Sequence, residues 1–293
     1  MTWSLNGRTV LITGAARGIG EHVARVAAAR GAKVFLAGLE PQRLASLAAE
    51  LDAGWHACDV TDQAGVDGAV RAAVERTGGI DVLVANAGIA NLGTVAGGDV
   101  SALVRVIDVN LNGVIRTVSA ALPALRARQG YALLISSAAA FTALPGMAAY
   151  CAAKAGVEQF GTVLRMELAH TGTRVGTAHP AWIDTDLVQD IREDLPSFRT
   201  ALSRLPWPLR STVPVRQCAE ALVRGIEHRR RRIYVPRAVA GVQALRTIYT
   251  GRVAEAAIRR FGGDQVTRME DEVRSLGRSF GTHSMGSAPS HVD

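Results

Sequence analysis

Hydrophobic positions in this chain come in short solid runs separated by longer stretches with helical spacing. Residues 8–13 (Arg8-Thr9-Val10-Leu11-Ile12-Thr13) are bounded by Gly7 and Gly14 and rich in β-branched side chains, which predicts a buried strand. The alanine-rich segment 20–30 follows at helical spacing and stops at Gly31. The alternation continues with strand 33–38, helix 41–51, strand 55–58, helix 62–77 and strand 80–85. Helical patterns resume over 99–127, followed by strand 132–135, helix 149–170, strand 174–178, helix 215–228 and strand 233–235. Solidly apolar strands are covered on both faces, and strands alternating with helices pair in parallel. The predicted fold class is α/β, a single-domain, doubly wound parallel sheet of about seven strands with helices on both faces.

A sheet of this kind binds ligands beyond the carboxyl ends of its strands. Four polar or glycine-rich features fall there: the turn Gly14-Ala15-Ala16-Arg17-Gly18-Ile19-Gly20, then Asp59, Asn86 and Ser137. A strand entering a helix through glycines can present backbone N–H groups to a pyrophosphate, provided no Cβ holds the phosphate away. The spacing is G-x3-G-x-G, not the G-x-G-x-x-G of the common dinucleotide fingerprint. Further along, Tyr150 and Lys154 lie four residues apart on a predicted helix, about 400° of rotation, and so share a face. An ammonium beside a phenol favours the phenolate and brings a group of ordinary pKa about 10 toward the working range of an acid or base. Lys33 and Lys154 are the only lysines among 33 basic residues, so the pair stands out from background. A serine hydroxyl from a neighbouring strand end would complete a site able to hold a substrate oxygen.

With these residues in place, the chain resembles the short-chain dehydrogenase/reductase family over about residues 5–235. Thr13-Gly14-x3-Gly18-Ile19-Gly20 matches the family's T-G-x3-G-[IL]-G, Asp59-Val60 its adenine-side D-V, and Asn86-Ala87-Gly88 its N-A-G. Asn110 lies 27 residues before Ser137, Ser137 lies 13 before Tyr150, and Lys154 lies four after, the separations of the family's Asn-Ser-Tyr-Lys tetrad. Pro180-Ala181-Trp182-Ile183-Asp184-Thr185 resembles the P-G-x3-T that contacts the nicotinamide, with Ala181 in place of the usual glycine. The resemblance implies a Rossmann-type fold and hydride transfer between a nicotinamide and a carbonyl compound or secondary alcohol. It implies that Tyr150 is the general acid/base, and that Lys154 lowers its pKa and holds the nicotinamide ribose. Ser137 would bond the substrate oxygen, and Asn110 would place a water relaying protons from Lys154. The cofactor contacts it implies are Gly14, Arg17, Gly18, Ile19, Gly20, Asp59, Val60, Asn86, Ala87, Gly88, Tyr150, Lys154, Pro180, Ile183 and Thr185, with no metal. Ser136, Cys151, His56 and His179 read as packing or hydrogen-bonding residues.

Cofactor choice in this fold depends on what meets the adenosine ribose at the end of the second strand. The stretch is Val34-Phe35-Leu36-Ala37-Gly38-Leu39-Glu40. Gly38 stands where the resemblance puts an NAD-selecting acid, and Leu39 where it puts a phosphate-binding arginine. Arg17 lies within the glycine turn, where NADP-dependent relatives carry a basic residue, while Glu40 is within reach of a ribose hydroxyl if the turn bends inward. The expectation is NADP(H) favoured over NAD(H), with Arg17 as the phosphate partner.

Composition adds limits. With 293 residues and 48% hydrophobic content the chain can bury a substantial core. Cys58, Cys151 and Cys218 are too scattered for a disulfide framework or metal cage, and no basic-then-apolar leader is visible, so a cytoplasmic protein is expected. The net charge of +7 sits in the tail: residues 1–228 hold 21 basic and 20 acidic side chains, residues 229–293 hold 12 and 6. The body therefore lacks the basic face of a nucleic-acid binder, and no nucleic-acid partner is expected.

The domain expectation is a catalytic domain over 1–235, including a substrate lid over 186–215, and a C-terminal extension over 236–293. The apolar lid residues, together with Phe141, Leu144, Met147 and Trp182, imply a hydrophobic small-molecule substrate. Arg229-Arg230-Arg231-Arg232 opens the basic tail, and Val239, Val242, Leu245, Ile248, Tyr249 and Val253 predict one amphipathic helix. Such a segment can lie on an anionic membrane surface as a peripheral contact, dock an acidic carrier, or pack on its own subunit. The last fifteen residues are expected to be disordered. The family resemblance implies a homo-tetramer or homo-dimer through helices near 110–127 and 149–170. Three functions stand: a carbonyl reductase or alcohol dehydrogenase, a 3-oxoacyl-thioester reductase, and a non-catalytic dinucleotide-binding protein.

Overall fold

The computed structural model describes residues 2–91, 93–203, 210, 212–249, 251, 252, 256 and 263–281. The strands are β1 (Thr9–Thr13), β2 (Lys33–Gly38), β3 (Gly54–Ala57), β4 (Val82–Ala85), β5 (Tyr131–Ile135), β6 (Arg174–Pro180), β7 (Ile183–Asp184), β8 (Val213–Pro214) and β9 (Arg232–Val235). Seven of them form one sheet in the order β3-β2-β1-β4-β5-β6-β9, each neighbour parallel to the next. The helices that connect and cover them are α1 (Gly18–Ala29), α2 (Pro41–Leu51), α3 (Gln63–Thr77), α4 (Val100–Ile107), α5 (Gly113–Ala127) and α6 (Ala148–Glu167). After β6 come α7 (Asp186–Asp194), α8 (Pro196–Ser203), α9 (Val215–Glu227), α10 (Val239–Ala244), α11 (Arg246–Tyr249) and α12 (Gly263–Leu276). This is the doubly wound, Rossmann-type α/β sheet expected from the pattern.

Because side chains alternate along a strand, each solid apolar run feeds two cores. Val10, Ile12, Val34, Leu36, Val82 and Val84 join the buried faces of α1, α2 and α9 on one side. Leu11, Phe35, Leu83 and Ala85 join those of α3, α5 and α6 on the other. Val23, Ala24 and Ala27 of α1 and Ala219, Leu222, Val223 and Ile226 of α9 all lie within the first core. The N-terminal segment is held to the same corner: Trp3 N donates to Glu227 O at 2.7 Å, and Arg229 lies 4.8 Å over the Trp3 ring.

Three segments differ from the sequence pattern. The helical stretch 99–127 is interrupted by a π turn, Asp108–Asn112, between α4 and α5. The single amphipathic helix expected from 239 breaks at Leu245 into α10 and α11, and Val253 lies outside the described residues. The arginine run is not one solvated stripe. Arg229 donates to the carbonyls of Gln129, Gly130 and Gly172, and Arg232 donates to Glu158, while Arg230 and Arg231 are exposed. Of the last fifteen residues, 279–281 return to the body, where Phe280 pairs with Asn91 in an antiparallel bridge. Residues 282–293 lie outside the described residues, as do 204–209 and 211 of the expected lid. Among the described residues no helix is long and apolar enough to cross a membrane.

Candidate active site

The strand order reverses between β1 and β4, and a crevice opens there among the loops that follow the strands. Every site residue expected from the sequence lines it except Gly20. Gly20 is buried behind the turn, and any Cβ on it would collide with the Gly14 carbonyl oxygen, so backbone packing by itself requires a glycine there. Gly14 leaves β1 at φ +63°, and a Cβ there would stand 2.7 Å from Ala87 Cα. The glycine pattern is thus set partly by backbone meeting backbone, a broader reason than clearance for a phosphate. Asn86 clips the two central strand ends together, its Nδ2 donating to Thr13 O at 3.0 Å and Gly14 O at 3.1 Å.

α1 starts after Arg17 with no side chain capping its first turn, whereas Asp62 and Asp99 cap α3 and α4. Open N–H groups at a helix N-terminus carry partial positive charge and suit an anion, so the turn 14–19 fits a pyrophosphate. Thr185 reaches the same turn, its methyl 3.6 Å from where a Gly18 Cβ would stand. At the end of the crevice beside β2, Arg17 donates to Glu40 through Nε at 2.8 Å and Nη2 at 2.5 Å. Asp59 accepts from Thr61 and pairs with Arg105 at 3.2 Å; burial pushes its carboxyl up, but these partners outweigh it and hold the acid below its ordinary pKa.

The other wall carries the four expected reactive side chains. Asn110 occupies the π turn and is fully buried; its Nδ2 donates to Ile89 O at 2.8 Å and Val106 O at 2.9 Å, and its Oδ1 has no hydrogen-bond partner. That Oδ1 and Lys154 Nζ converge on one point beside Gly88, at 2.6 and 3.5 Å. Lys154, 3% exposed, donates to Ile135 O at 3.0 Å and lies 5.6 Å from the Tyr150 ring centroid. Ser136 Oγ donates to Lys154 O at 2.7 Å and fixes α6 against the end of β5. Ser137 Oγ donates to Pro180 O at 3.3 Å and accepts from Ala139 N at 3.1 Å.

The family model described as short chain dehydrogenase matches residues 8–196. The chain belongs to the short-chain dehydrogenase family. Trans-4-hydroxycyclohexanecarboxylate dehydrogenase of Sinomonas cyclohexanicum is 37% identical to this short-chain dehydrogenase over 196 residues, 63% of this chain and 76% of that one. The 3-alpha-(or 20-beta)-hydroxysteroid dehydrogenase of Mycobacterium bovis is 35% identical over 212 residues, 71% and 81% of the two chains. The X-ray structure of an alcohol dehydrogenase from the archaeon Thermococcus sibiricus, complexed with 5-hydroxy-NADP, superposes with a TM-score of 0.67 at 26% identity, covering 78% of this chain and 95% of that one. This short-chain dehydrogenase is an oxidoreductase of the class acting on CH–OH and C=O groups, and it binds a nicotinamide dinucleotide.

Burial dominates the electrostatics of the two side chains on α6. Burial pushes the Tyr150 phenol up to about 12, and the hydrogen bond with Ser137 is what pulls it down. Burial also brings the Lys154 ammonium down to about 8. Both groups have their charged form penalised by burial at once, which is why the phenol moves up and the ammonium down.

Two features of this short-chain dehydrogenase were not found by motif. Behind Ser137, the buried His179 ring places Nδ1 3.4 Å from Ser137 O and Nε2 3.0 Å from Glu158 Oε2, and Arg232 donates to Glu158 Oε1 at 2.7 Å. The repeat Lys154 to Glu158, one more turn along α6, was the available signal. The second is α12, whose Val266, Met269, Val273 and Leu276 fall at helical spacing.

Proposed function

We propose that this enzyme transfers a hydride between NADP(H) and a neutral hydrophobic carbonyl compound or secondary alcohol, with Tyr150 as general acid/base. The observation that supports this best is that Asn110, Ser137, Tyr150 and Lys154 line the crevice that runs to the uncapped start of α1. When bound, the nicotinamide supplies or accepts the hydride. Gly14, Gly18 and Ile19 would hold the pyrophosphate, Asp59 and Val60 the adenine side, Asn86 to Gly88 and Lys154 the nicotinamide ribose, and Pro180, Ile183 and Thr185 the nicotinamide.

Ser137 Oγ turns its proton toward the substrate oxygen as charge gathers there. Tyr150, protonated at neutral pH, gives its proton to that oxygen in reduction and takes one back in oxidation. Asn110 Oδ1 would accept from a water shared with Lys154 Nζ, a role supported by its lack of a hydrogen-bond partner and by the two atoms meeting beside Gly88. NADP(H) is favoured because β2 ends in Gly38-Leu39 without an acid, and Arg17 and Arg43 flank the adenosine end. A 2′-phosphate must displace Glu40 from Arg17 to use it.

Hydrophobic substrates are supported by the half-buried Trp182 and Leu187 and the buried Met147, which pack in the apolar cluster that Tyr150 touches. The hydroxysteroid in the name of one relative is of this type, whereas the hydroxycyclohexanecarboxylate in the name of another shares the ring secondary alcohol but carries a carboxylate. Exposed Ile115 on α5 and Val163 and Met166 on α6 support self-association into a homo-dimer or homo-tetramer. The test is turnover of neutral ketones, aldehydes and 3-oxoacyl thioesters with NADPH and NADH, followed by nicotinamide absorbance. Turnover of the thioesters alone overturns the substrate reading, and no turnover with any of them favours a dinucleotide-binding role.

A further inference from the structure

α12 lies outside the matched family region and packs against the loops around Tyr150. Its buried Met269 and Val273 join Met147, Leu195 and Phe198 in one apolar cluster, and Tyr150 and Trp182 pack against that cluster. The Met269 sulfur occupies the place where a Cβ on Gly146 would stand, four residues before Tyr150. Val273 Cγ1 comes to 3.4 Å from the corresponding point on Gly93, in the loop after β4.

Polar contacts fix the helix to both sides of this cluster. Thr94 Oγ1 donates to Glu270 at 2.6 Å, and Ser197 donates to Glu272 from Oγ at 2.6 Å and from its backbone N at 3.1 Å. Beyond the helix, Arg278 pairs with Asp194 at 2.6 Å, and Phe280 bridges to Asn91. The loop after β4, the loop before α6 and the helices after β7 are therefore all joined by one C-terminal segment. A solvated tail makes no such set of contacts, since each ordered side chain loses rotamer freedom that burial and hydrogen bonding must offset.

We propose that α12 forms the outer wall of the substrate pocket in its own chain, and that Met269 sets the size of the apolar carbonyl compound the enzyme accepts. This rests on the reading of Ser137 and Tyr150 as the carbonyl-binding pair. A thioether on an unbranched stem repacks around irregular apolar shapes more readily than a branched side chain. Met269 shares one apolar cluster with Met147 and Phe198, against which Tyr150 packs, so a ring compound that enters beside Tyr150 and parts this cluster contacts Met269. A long acyl thioester on a carrier arm needs an open channel at this wall, where Glu270 and Glu272 bind the helix down.

The experiment compares the full chain with Met269→Ala and Met269→Trp, using a ladder of neutral ketones from cyclohexanone to a steroid ketone. Met269→Ala raises the ratio of kcat/KM for the largest over the smallest ketone by about tenfold or more, and Met269→Trp lowers it, the scale expected for a methylene or two in an apolar pocket. Affinity for NADPH, read by nicotinamide fluorescence, stays within about twofold of the unsubstituted protein, which shows that the variants are folded. In protein carrying 13C-methyl methionine, the Met269 methyl signal moves when a ketone is added in the presence of NADPH, while that of the exposed Met166 does not. Ketone turnover with an unchanged size ratio in both variants and a stationary Met269 signal overturns the proposal and leaves the catalytic reading standing. No ketone turnover and no shift in wild-type protein overturns both.

Discussion

Arg17 and Glu40 form a two-point ion pair at the adenosine end of the crevice, with Arg43 a further 3.2 Å from the same carboxylate. If the adenosine ribose sits there as proposed, the pair sets one residue against the other in cofactor choice. Arg17→Ala lowers kcat/KM for NADPH relative to NADH by about tenfold or more, the size of one charge-assisted contact. Glu40→Gln moves the ratio the opposite way by removing the nearer carboxylate partner of the guanidinium, with Asp186 pairing as well at 3.8 Å. Parallel kinetics with the two cofactors check both, and a wild-type preference for NADH removes NADP(H) as the favoured cofactor.

Tyr150→Phe keeps the ring that packs beside Lys154 and deletes the proton. Turnover falls by about 10²–10⁴-fold, the usual worth of a general acid/base. Cofactor affinity, measured by nicotinamide fluorescence, changes little. Wild-type turnover in this variant removes Tyr150 from the chemistry.

Glu158 is the charged centre of the network behind Ser137. Burial pushes its carboxyl up, but His179, then Thr177 and Arg232, outweigh burial and bring it down to about 2. A carboxylate whose pKa is depressed on folding contributes stability above its unfolded value of 4.5, and loses it as pH falls toward 2. Relative to Glu158→Gln, the wild-type protein loses up to about 3 kcal/mol more between those limits. Urea unfolding across that range reads the difference, and parallel curves for the two proteins contradict it.

Lys154 behaves in the opposite sense. Its folded pKa of about 8 lies below the ordinary 10.5, so the folded protein binds fewer protons than the unfolded chain between those values. The cost of the buried ammonium is full below pH 8 and is relieved as pH rises to 10.5. Lys154→Met removes this cost, which makes the variant more stable near neutrality by up to about 3 kcal/mol, with the gap closing at alkaline pH. The buried thiols of Cys58 and Cys218 are pushed up and act oppositely at alkaline pH, so the quantity to read is the difference between the two proteins.

The sheet and the four side chains that meet in the crevice were legible because both are written in spacing. Val10, Leu11 and Ile12 alternate between two cores, which demands covering helices on both faces, and the 27-, 13- and four-residue separations of Asn110, Ser137, Tyr150 and Lys154 need no geometry to be read. What spacing does not carry is environment. The π turn at Asn110 accompanies bonds from Nδ2 to Ile89 O and Val106 O, contacts with no local sequence signature. The direction of the Tyr150 and Lys154 shifts follows from burial, which a sequence pair does not report. Gly20 matched its motif, yet its reason is the Gly14 carbonyl. α12 has a readable period, but only the folded chain shows that Met269 meets Gly146.

The pairing of α1 with α9 also orders events during synthesis. Arg30 at the end of α1 bonds to Glu227 at the end of α9, 197 residues further along. On the ribosome, the apolar face of Val23, Ala24 and Ala27 meets β1, β2 and α2 early but lacks its α9 cover until residue 227 has left the exit tunnel. A nascent chain halted before α9 is therefore a sticky species and a client for chaperones rather than a small finished nucleotide-binding unit. The first helix to be made is among the last to be fully covered.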